Sequence, residues 1–131
     1  MKFLTPLSSG LCLIFHLSTA TAWEPSEPEG VTPLNAEQIK AAFARYVFKR
    51  QDIDYVDQHF KDGRFKGEFH SERYSGKWWV EEKDNYLCQQ VYGKNHCYNI
   101  ARGKDGNFCF YLWGSDRPDV CGTLEPIKDS G

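Results

Sequence analysis

The chain has 131 residues with 16 basic and 18 acidic side chains, which gives a formal net charge of −2 at pH 7. This length fits one domain with a single modest core. Nucleic acids and anionic membrane surfaces are normally bound through clustered Lys and Arg, whereas here the two signs are interspersed along the chain. The composition therefore argues against both kinds of partner.

Residues 1–22 have the pattern of a cleavable secretory signal peptide. A basic start is followed by an uncharged, partly apolar stretch and by Ala20-Thr21-Ala22, the small residues that a signal peptidase requires. We expect cleavage before Trp23. A lipid anchor at Cys12 is disfavoured, because Leu11 is bulky where such a signal needs a small residue. The apolar run is too short for a bilayer core of about 30 Å, so we expect an exported protein, periplasmic or extracellular, without stable membrane insertion.

Four cysteines remain after removal of the leader. An even number in a small exported chain is typical of disulfides, whereas a zinc site would need closely spaced cysteines or paired histidines. Four cysteines allow several connectivities, and we favour the two local pairs because each brackets a predicted hairpin. The predicted disulfides are Cys88 to Cys97 and Cys109 to Cys121.

The mature chain is predicted to start with an unstructured lead and then a helix. Residues 23–33 are rich in Pro and Glu, so we expect a flexible segment there. A single disulfide-stabilised domain follows over residues 34–128. We place its helix from Ala36 to about Tyr46.

The start of this helix has a recognisable cap. Asn35 can accept from the first turn while Gln38 returns the bond, and Leu34 and Ile39 occupy the two positions of a hydrophobic staple. An apolar stripe then continues at helical spacing. Its members are Ile39, Phe43, and Tyr46 or Val47.

From Ile53 onward the hydrophobic period is two, and turn residues recur about every 8 to 12 positions, which predicts a meander of short antiparallel strands. The expected fold is therefore mainly β with one N-terminal helix (α+β), its sheet curved into an open roll or a small barrel. Turns are predicted at Lys61-Asp62-Gly63, Tyr74-Ser75-Gly76, Lys83-Asp84-Asn85, Gly93-Lys94-Asn95, Lys104-Asp105-Gly106 and Trp113-Gly114-Ser115-Asp116. The strands centre on Tyr55 to Phe60, Arg64 to His70, Lys77 to Glu82, Tyr86 to Tyr92, His96 to Ala101, Asn107 to Trp113 and Val120 to Leu124.

Short motifs in the first part of the domain resemble an uncharacterised family of short exported proteobacterial proteins. The resemblance covers about residues 34 to 101 and implies an exported bacterial protein, but no established activity. It is carried by Gly76-Lys77-Trp78-Trp79-Val80, Leu87-Cys88, Cys97-Tyr98, Asp62-Gly63 and the start of the helix.

Aromatic side chains on the predicted strands are candidate binding residues. Trp78 and Trp79 are adjacent on a strand, so they must face opposite sides of the sheet. We expect Trp78 in the core and Trp79 outside. Aromatic residues provide large contact areas at low entropic cost, although ordinary packing is the more common reason for such residues on strands. The candidate binding surface consists of Trp79, Tyr92, Tyr98, Tyr111 and Trp113.

No pattern predicts a metal site, a cofactor or a catalytic site. His59, His70 and His96 lack the spacing of metal ligands, so we expect surface or hydrogen-bonded histidines. A nucleophile motif and the motif for covalent haem attachment are absent from the sequence. A hydrolase would need two acids on facing strands. The available acids are Glu68, Glu72, Glu81 and Glu82.

The preferred interpretation is a non-catalytic binding protein of a Gram-negative envelope, monomeric, that binds a protein or small ligand. It would use an aromatic-rich face or the mouth of its sheet. One alternative is an inhibitor or immunity protein that blocks an envelope enzyme with the loop from Gly114 to Pro118, which is polar, stiffened by proline and bracketed by two cysteines. A hydrolase with an unrecognised acid pair is the second alternative.

Overall fold

A computed structural model of the protein describes residues 23–50, 54–113 and 115–128, and the predicted signal peptide lies outside them. Within these residues one helix and nine strands follow each other in the chain. They are β1 (Thr32–Pro33), α1 (Ala36–Phe43), β2 (Tyr46–Arg50), β3 (Tyr55–His59), β4 (Arg64–Phe69), β5 (Glu72–Glu81), β6 (Tyr86–Val91), β7 (Lys94–Arg102), β8 (Phe108–Leu112) and β9 (Val120–Pro126).

Strands β2 to β9 close into an eight-stranded antiparallel barrel. Each strand pairs with the next along the chain, and β9 pairs with both β8 and β2. The predicted fold class, mainly β with one helix and a meander sheet, is confirmed, and the sheet is the closed form rather than the open roll. Closure removes the unpaired edges that an open sheet presents.

The helix is shorter than predicted, although its start is confirmed. Asn35 accepts from the Gln38 backbone at 2.9 Å, and the Gln38 side chain accepts from the Asn35 backbone at 2.8 Å. The expected end near Tyr46 is wrong. Arg45 has a φ of 75°, and Tyr46 begins β2, where it pairs with both β3 and β9. A helix could not supply those barrel hydrogen bonds, so tertiary pairing overrides the apolar stripe.

The helix fills one end of the barrel. Ile39 and Phe43 are fully buried. The Phe43 ring lies 5.3 Å from the ring of His59 and 5.6 Å from that of Phe110, inside the barrel wall. We call the opposite end, where β4, β6 and β8 finish, the helix-free end.

One predicted turn is wrong because a glycine is needed inside a strand. Tyr74 to Gly76 lie within β5, and the chain instead reverses at His70 and Ser71, whose φ angles are 50° and 71°. A Cβ on Gly76 would collide with the carbonyl oxygen of Gln90 on β6. Gly76 therefore permits a close approach of two strands rather than a turn.

The segment 23–33 packs on the outer wall of the barrel, which corrects the prediction of a flexible lead. Its β1 pairs with β7. The Trp23 ring lies 4.7 Å from the ring of Tyr111, edge to face, and the Tyr111 hydroxyl donates to the Glu27 carbonyl at 2.6 Å. Trp23 and Val31 cover a second apolar cluster around Tyr111. The folded unit therefore includes this segment.

Both predicted disulfides are present. Each joins directly opposed residues of neighbouring strands, Cys88 with Cys97 on β6 and β7, and Cys109 with Cys121 on β8 and β9. Such disulfides persist in oxidising compartments and are rare in the cytosol. They therefore indicate a location outside the cytoplasm.

Candidate functional site

Inside the barrel, a tyrosine hydroxyl on β5 hydrogen-bonds a buried carboxylate on β3, across the strand β4 that lies between them. Asp57 lies opposite Gly67, and Gly67 lies opposite Tyr74. The Tyr74 hydroxyl donates to Asp57 Oδ1 at 2.9 Å. A Cβ on Gly67 would overlap the Tyr74 ring and approach Asp57 Oδ1 to 2.6 Å. The glycine thus leaves the space through which Tyr74 crosses β4.

Asp57 is a buried acid with one unsatisfied oxygen. Its side chain is 1% exposed, and Oδ2 meets no donor at hydrogen-bonding geometry. Burial raises the pKa of Asp57 to about 6, and the nearby Tyr74, Tyr55 and Gln89 side chains partly oppose this by favouring the ionised form. The carboxyl group therefore titrates close to neutral pH.

Three tyrosines surround this carboxyl group. Burial raises the pKa values of Tyr55 and Tyr74 far above the usual range, and the negative charge of Asp57 adds to the effect. Burial likewise raises the pKa of Tyr98 to about 12, with smaller contributions from Asp119 and Asp57. All three hydroxyls consequently stay neutral near pH 7 and can donate hydrogen bonds.

His59 and Gln89 lie next to this cluster inside the barrel. Gln89 Nε2 lies 3.1 Å from His59 Nε2. Burial lowers the pKa of His59 to about 3, with weak opposition from the backbone of Tyr46. The imidazole is therefore neutral at physiological pH, and its Nδ1 atom, like Asp57 Oδ2, is buried without a hydrogen-bond partner. Its neighbours are aromatic, with the ring of Trp78 5.3 Å away.

An apolar rim lies between the polar cluster and solvent at the helix-free end. Phe69 is 39% exposed and Leu112 is 48% exposed, although both continue inward-facing rows of their strands. The Phe69 ring lies 5.7 Å from that of Tyr55, and Leu112 is opposite Tyr98. This arrangement, with apolar groups outside and hydrogen-bonding groups inside, suits an amphipathic small molecule.

The five predicted binding aromatics do not form one surface, which corrects that prediction. Strand alternation separates them into different environments. Tyr98 packs inside the barrel, Tyr111 is buried under the N-terminal segment, and Tyr92 is in an exposed turn with its hydroxyl 3.3 Å from Glu72. Trp79 is half-buried on the outer wall opposite Cys88, and Trp113 is 74% exposed. Trp78, in contrast, is in the core as predicted.

The predicted acid candidates do not form a facing pair. Glu72 lies opposite Phe69 at the helix-free end and accepts from the Tyr92 hydroxyl at 3.3 Å, whereas the other three lie on the outer surface. Glu68 accepts from Arg73, Glu82 accepts from Lys40, and Glu81 is exposed on its strand. Among the residues that the structure describes, Asp57 is the buried acid. In the same part of the chain no three His, Cys, Asp or Glu residues lie close enough to hold a metal ion.

Sequence reasoning missed Asp57 as a site residue. The sequence does carry a signal. Along β3, Tyr55, Asp57 and His59 alternate with Val56 and Gln58, so the first three lie on one face of the strand. Strand periodicity alone does not say which set faces inward when both contain polar and apolar members.

The loop proposed for enzyme inhibition is held against the N-terminal segment. Gly114 lies outside the described residues. The Ser115 carbonyl accepts from Trp23 Nε1 at 2.9 Å, and the Asp116 carbonyl accepts from the backbone of Glu27 at 3.2 Å. The Arg117 side chain is 78% exposed and lies 3.6 Å from a Glu27 carboxylate oxygen.

The fold and the cysteines define a small disulfide-bonded antiparallel β-barrel with a polar interior at one end. The chain matches none of the protein-family models, curated proteins or solved structures with which we compared it. Across residues 23–50, 54–113 and 115–128, no helix has the length and apolar character needed to cross a membrane.

Proposed function

We propose that this protein is an exported, non-catalytic binding protein that takes a small ligand into the helix-free end of its barrel. One observation carries the proposal: the buried Asp57 Oδ2 has no hydrogen-bond partner, yet it lies among three tyrosine side chains. An unsatisfied buried oxygen costs about 1 to 3 kcal/mol. A ligand that donates a hydrogen bond to this oxygen would recover that free energy.

The exposed rim supports the same proposal. Phe69 and Leu112 leave a substantial part of their apolar surface in water at the helix-free end. A ligand body that covers them would gain about 25 cal/mol for each Å² of apolar surface removed from water. The barrel thus offers an apolar contact at its rim and a polar anchor farther inside, a combination that is usual in small-molecule sites.

Export to the periplasm or the extracellular space is part of the proposal. It is supported by the signal-peptide pattern in residues 1–22 and by the two disulfides. The resemblance to short proteobacterial proteins favours the envelope of a Gram-negative bacterium.

A second candidate function, enzyme inhibition, is favoured by the rigidity of the loop containing Ser115 and Arg117. The loop is bracketed by the disulfide of Cys109 and Cys121 and bonded to Trp23, while the Arg117 side chain projects into solvent. Rigid exposed loops bind an active site with little ordering cost. Inhibition of an envelope enzyme that is abolished by Arg117→Ala would support this function.

The proposed site can be tested by nuclear magnetic resonance of the exported protein with labelled aromatic rings. Extracts of small envelope molecules would be titrated in, and the binding proposal predicts shifts at Tyr55, Tyr98 and Phe69. Trp79, which is on the outer wall, is the internal control. Shifts confined to Trp79, or the absence of shifts at Tyr55, Tyr98 and Phe69, would contradict binding at the helix-free end.

A further inference from the structure

We propose that the helix-free end selects organic cations, namely a protonated amine or a quaternary ammonium attached to an apolar group. This inference rests on the proposed binding function and specifies the class of its ligand.

The side chains that hydrogen-bond the Asp57 carboxyl group, Tyr74, Tyr55 and Gln89, carry no positive charge. The titratable groups closest to it are Tyr55 and His59 from β3, Tyr74 from β5 and Tyr98 from β7. Nearer the helix-free end the same inward-facing rows continue with Arg50, Glu72, Lys94 and His96. The tyrosines are neutral donors, and His59 stays neutral because burial lowers its pKa to about 3. The facing Gln89 carries no charge. At neutral pH the ionised Asp57 is therefore a buried anion whose hydrogen-bonding neighbours are all neutral, and such groups are costly unless they are paired.

A ligand cation would supply the missing charge. It would also provide N–H donors, or a diffuse positive charge, at the unsatisfied Oδ2 atom of Asp57. A ligand anion would instead be repelled by Asp57, and a neutral alcohol would satisfy the oxygen without compensating its charge. Electrostatics therefore predicts the tightest binding for a cation, weaker binding for a neutral alcohol and the weakest binding for an anion.

Aromatic rings on this side of the barrel strengthen the preference. Tyr55 and Phe69 are in contact at 5.7 Å, and Tyr98 packs against Phe110 at 5.4 Å. The faces of such rings attract cations, most strongly where water is excluded. An apolar group attached to the ammonium can then cover Phe69 and Leu112 at the rim.

Binding of a cation is also linked to the protonation of Asp57. The cation binds the ionised form of Asp57, so binding in mildly acidic solution must release the proton that Asp57 holds with a pKa of about 6. The amine itself stays protonated throughout this range. Affinity should therefore rise by roughly tenfold between pH 5 and pH 7.5 and change little above that range.

Calorimetric titration with three matched probes tests the inference. The probes are 2-phenylethylamine, 2-phenylethanol and 3-phenylpropionate, which share an aromatic body and differ in the head group. At pH 7.5 the exported protein should bind the amine at least about tenfold more tightly than the alcohol, and the carboxylate most weakly. Asp57→Asn should reduce the affinity for the amine to that of the alcohol.

Asp119→Asn is the matched control, because Asp119 also acts on Tyr98 but is exposed. This variant should keep the preference for the amine. Equal affinities for amine and alcohol, or a preference that survives Asp57→Asn, would overturn the cation proposal while leaving small-molecule binding at the rim intact. If Asp57→Asn does not fold, an amine affinity in the unmodified protein that is constant from pH 5 to pH 7.5 would overturn it.

Discussion

Tyr74 reaches Asp57 across Gly67, and its hydroxyl donates a hydrogen bond of 2.9 Å to the Asp57 carboxylate. The three residues are directly paired positions on three neighbouring strands. The bond is possible only because the middle residue has no side chain, since a Cβ on Gly67 would overlap the Tyr74 ring. The local register of β3, β4 and β5 thus produces the polar anchor of the proposed site.

Gly67→Ala should therefore destabilise the protein more than Tyr74→Phe does. Tyr74→Phe removes one hydrogen bond to a charged group and should cost about 1 to 3 kcal/mol. Gly67→Ala loses the same bond and also forces the Tyr74 ring to move, which adds about 1 to 3 kcal/mol. Urea unfolding of both variants measures the difference. Ser75→Ala, on the exposed side of β5, is the control, and a Gly67→Ala protein as stable as that control would contradict the assignment.

Asp57 should make the folded protein less stable as the pH rises. Its pKa is about 6 in the folded state, compared with 3.8 for an unperturbed Asp. A raised pKa means that the folded state favours the protonated form, so the contribution to stability is complete below pH 4 and lost as the pH rises through 6. The loss amounts to about 3 kcal/mol. The titration of His59 opposes this effect, so the test uses a variant without that histidine. In His59→Gln, the free energy of unfolding should fall between pH 4 and pH 7.

His59 should have the opposite effect. Its pKa falls from 6.5 to about 3 on folding, so its contribution is complete above pH 6.5 and is lost as the pH falls toward 3. In Asp57→Asn the free energy of unfolding should therefore rise between pH 4 and pH 6.5. The two effects oppose each other in the unmodified protein, which should show a comparatively flat profile there. Parallel slopes in the two variants would show that the interior charges are not arranged as described.

Trp78 and Trp79 should differ strongly in their effect on stability. Trp78 is 7% exposed, and its Nε1 donates to the Phe60 carbonyl at 2.7 Å. Trp78→Ala should therefore cost about 3 to 5 kcal/mol, because it opens a large cavity. Trp79 is only half-buried on the outer wall, and Trp79→Ala should cost clearly less. Equal shifts of the thermal midpoint would mean that both faces of β5 are covered.

The N-terminal segment should contribute to stability rather than behave as a flexible lead. Trp23→Ala removes the contact with Tyr111 and the hydrogen bond to Ser115, and we expect a loss of about 1 to 3 kcal/mol. Glu24→Ala changes an exposed neighbour and should stay within about 0.5 kcal/mol. Thermal unfolding distinguishes the two. If both variants melt like the unmodified protein, the segment does not pack stably on the barrel.

Local sequence signals predicted those parts of the fold that depend on local chemistry. The capping pair Asn35 and Gln38 fixed the helix start, and the two cysteine pairs bracket real hairpins because β6 with β7, and β8 with β9, are neighbours in both chain and space. The helix end was missed because Tyr46 belongs to a strand that pairs with residues far along the chain. Local periodicity carries no information about such pairing.

The candidate site could not be predicted for a related reason. Asp57, Tyr74 and Tyr98 come from three separate strands, and only the register of the closed barrel brings them together. The sequence indicated that aromatic residues were abundant on the strands, but strand phase decides which of them face inward. Trp79 and Tyr98 were grouped by type, and the barrel places them on opposite sides of its wall.

The most direct measurement of the central claim is the pKa of Asp57, followed through its labelled carboxyl carbon in the exported protein with and without 2-phenylethylamine. Without ligand we expect a pKa of about 6. At saturation with the amine it should fall by at least about one unit, which corresponds to a tenfold preference of the cation for the ionised carboxylate. A pKa that is unchanged by saturating amine, or already near 3.8 in the free protein, would contradict the account.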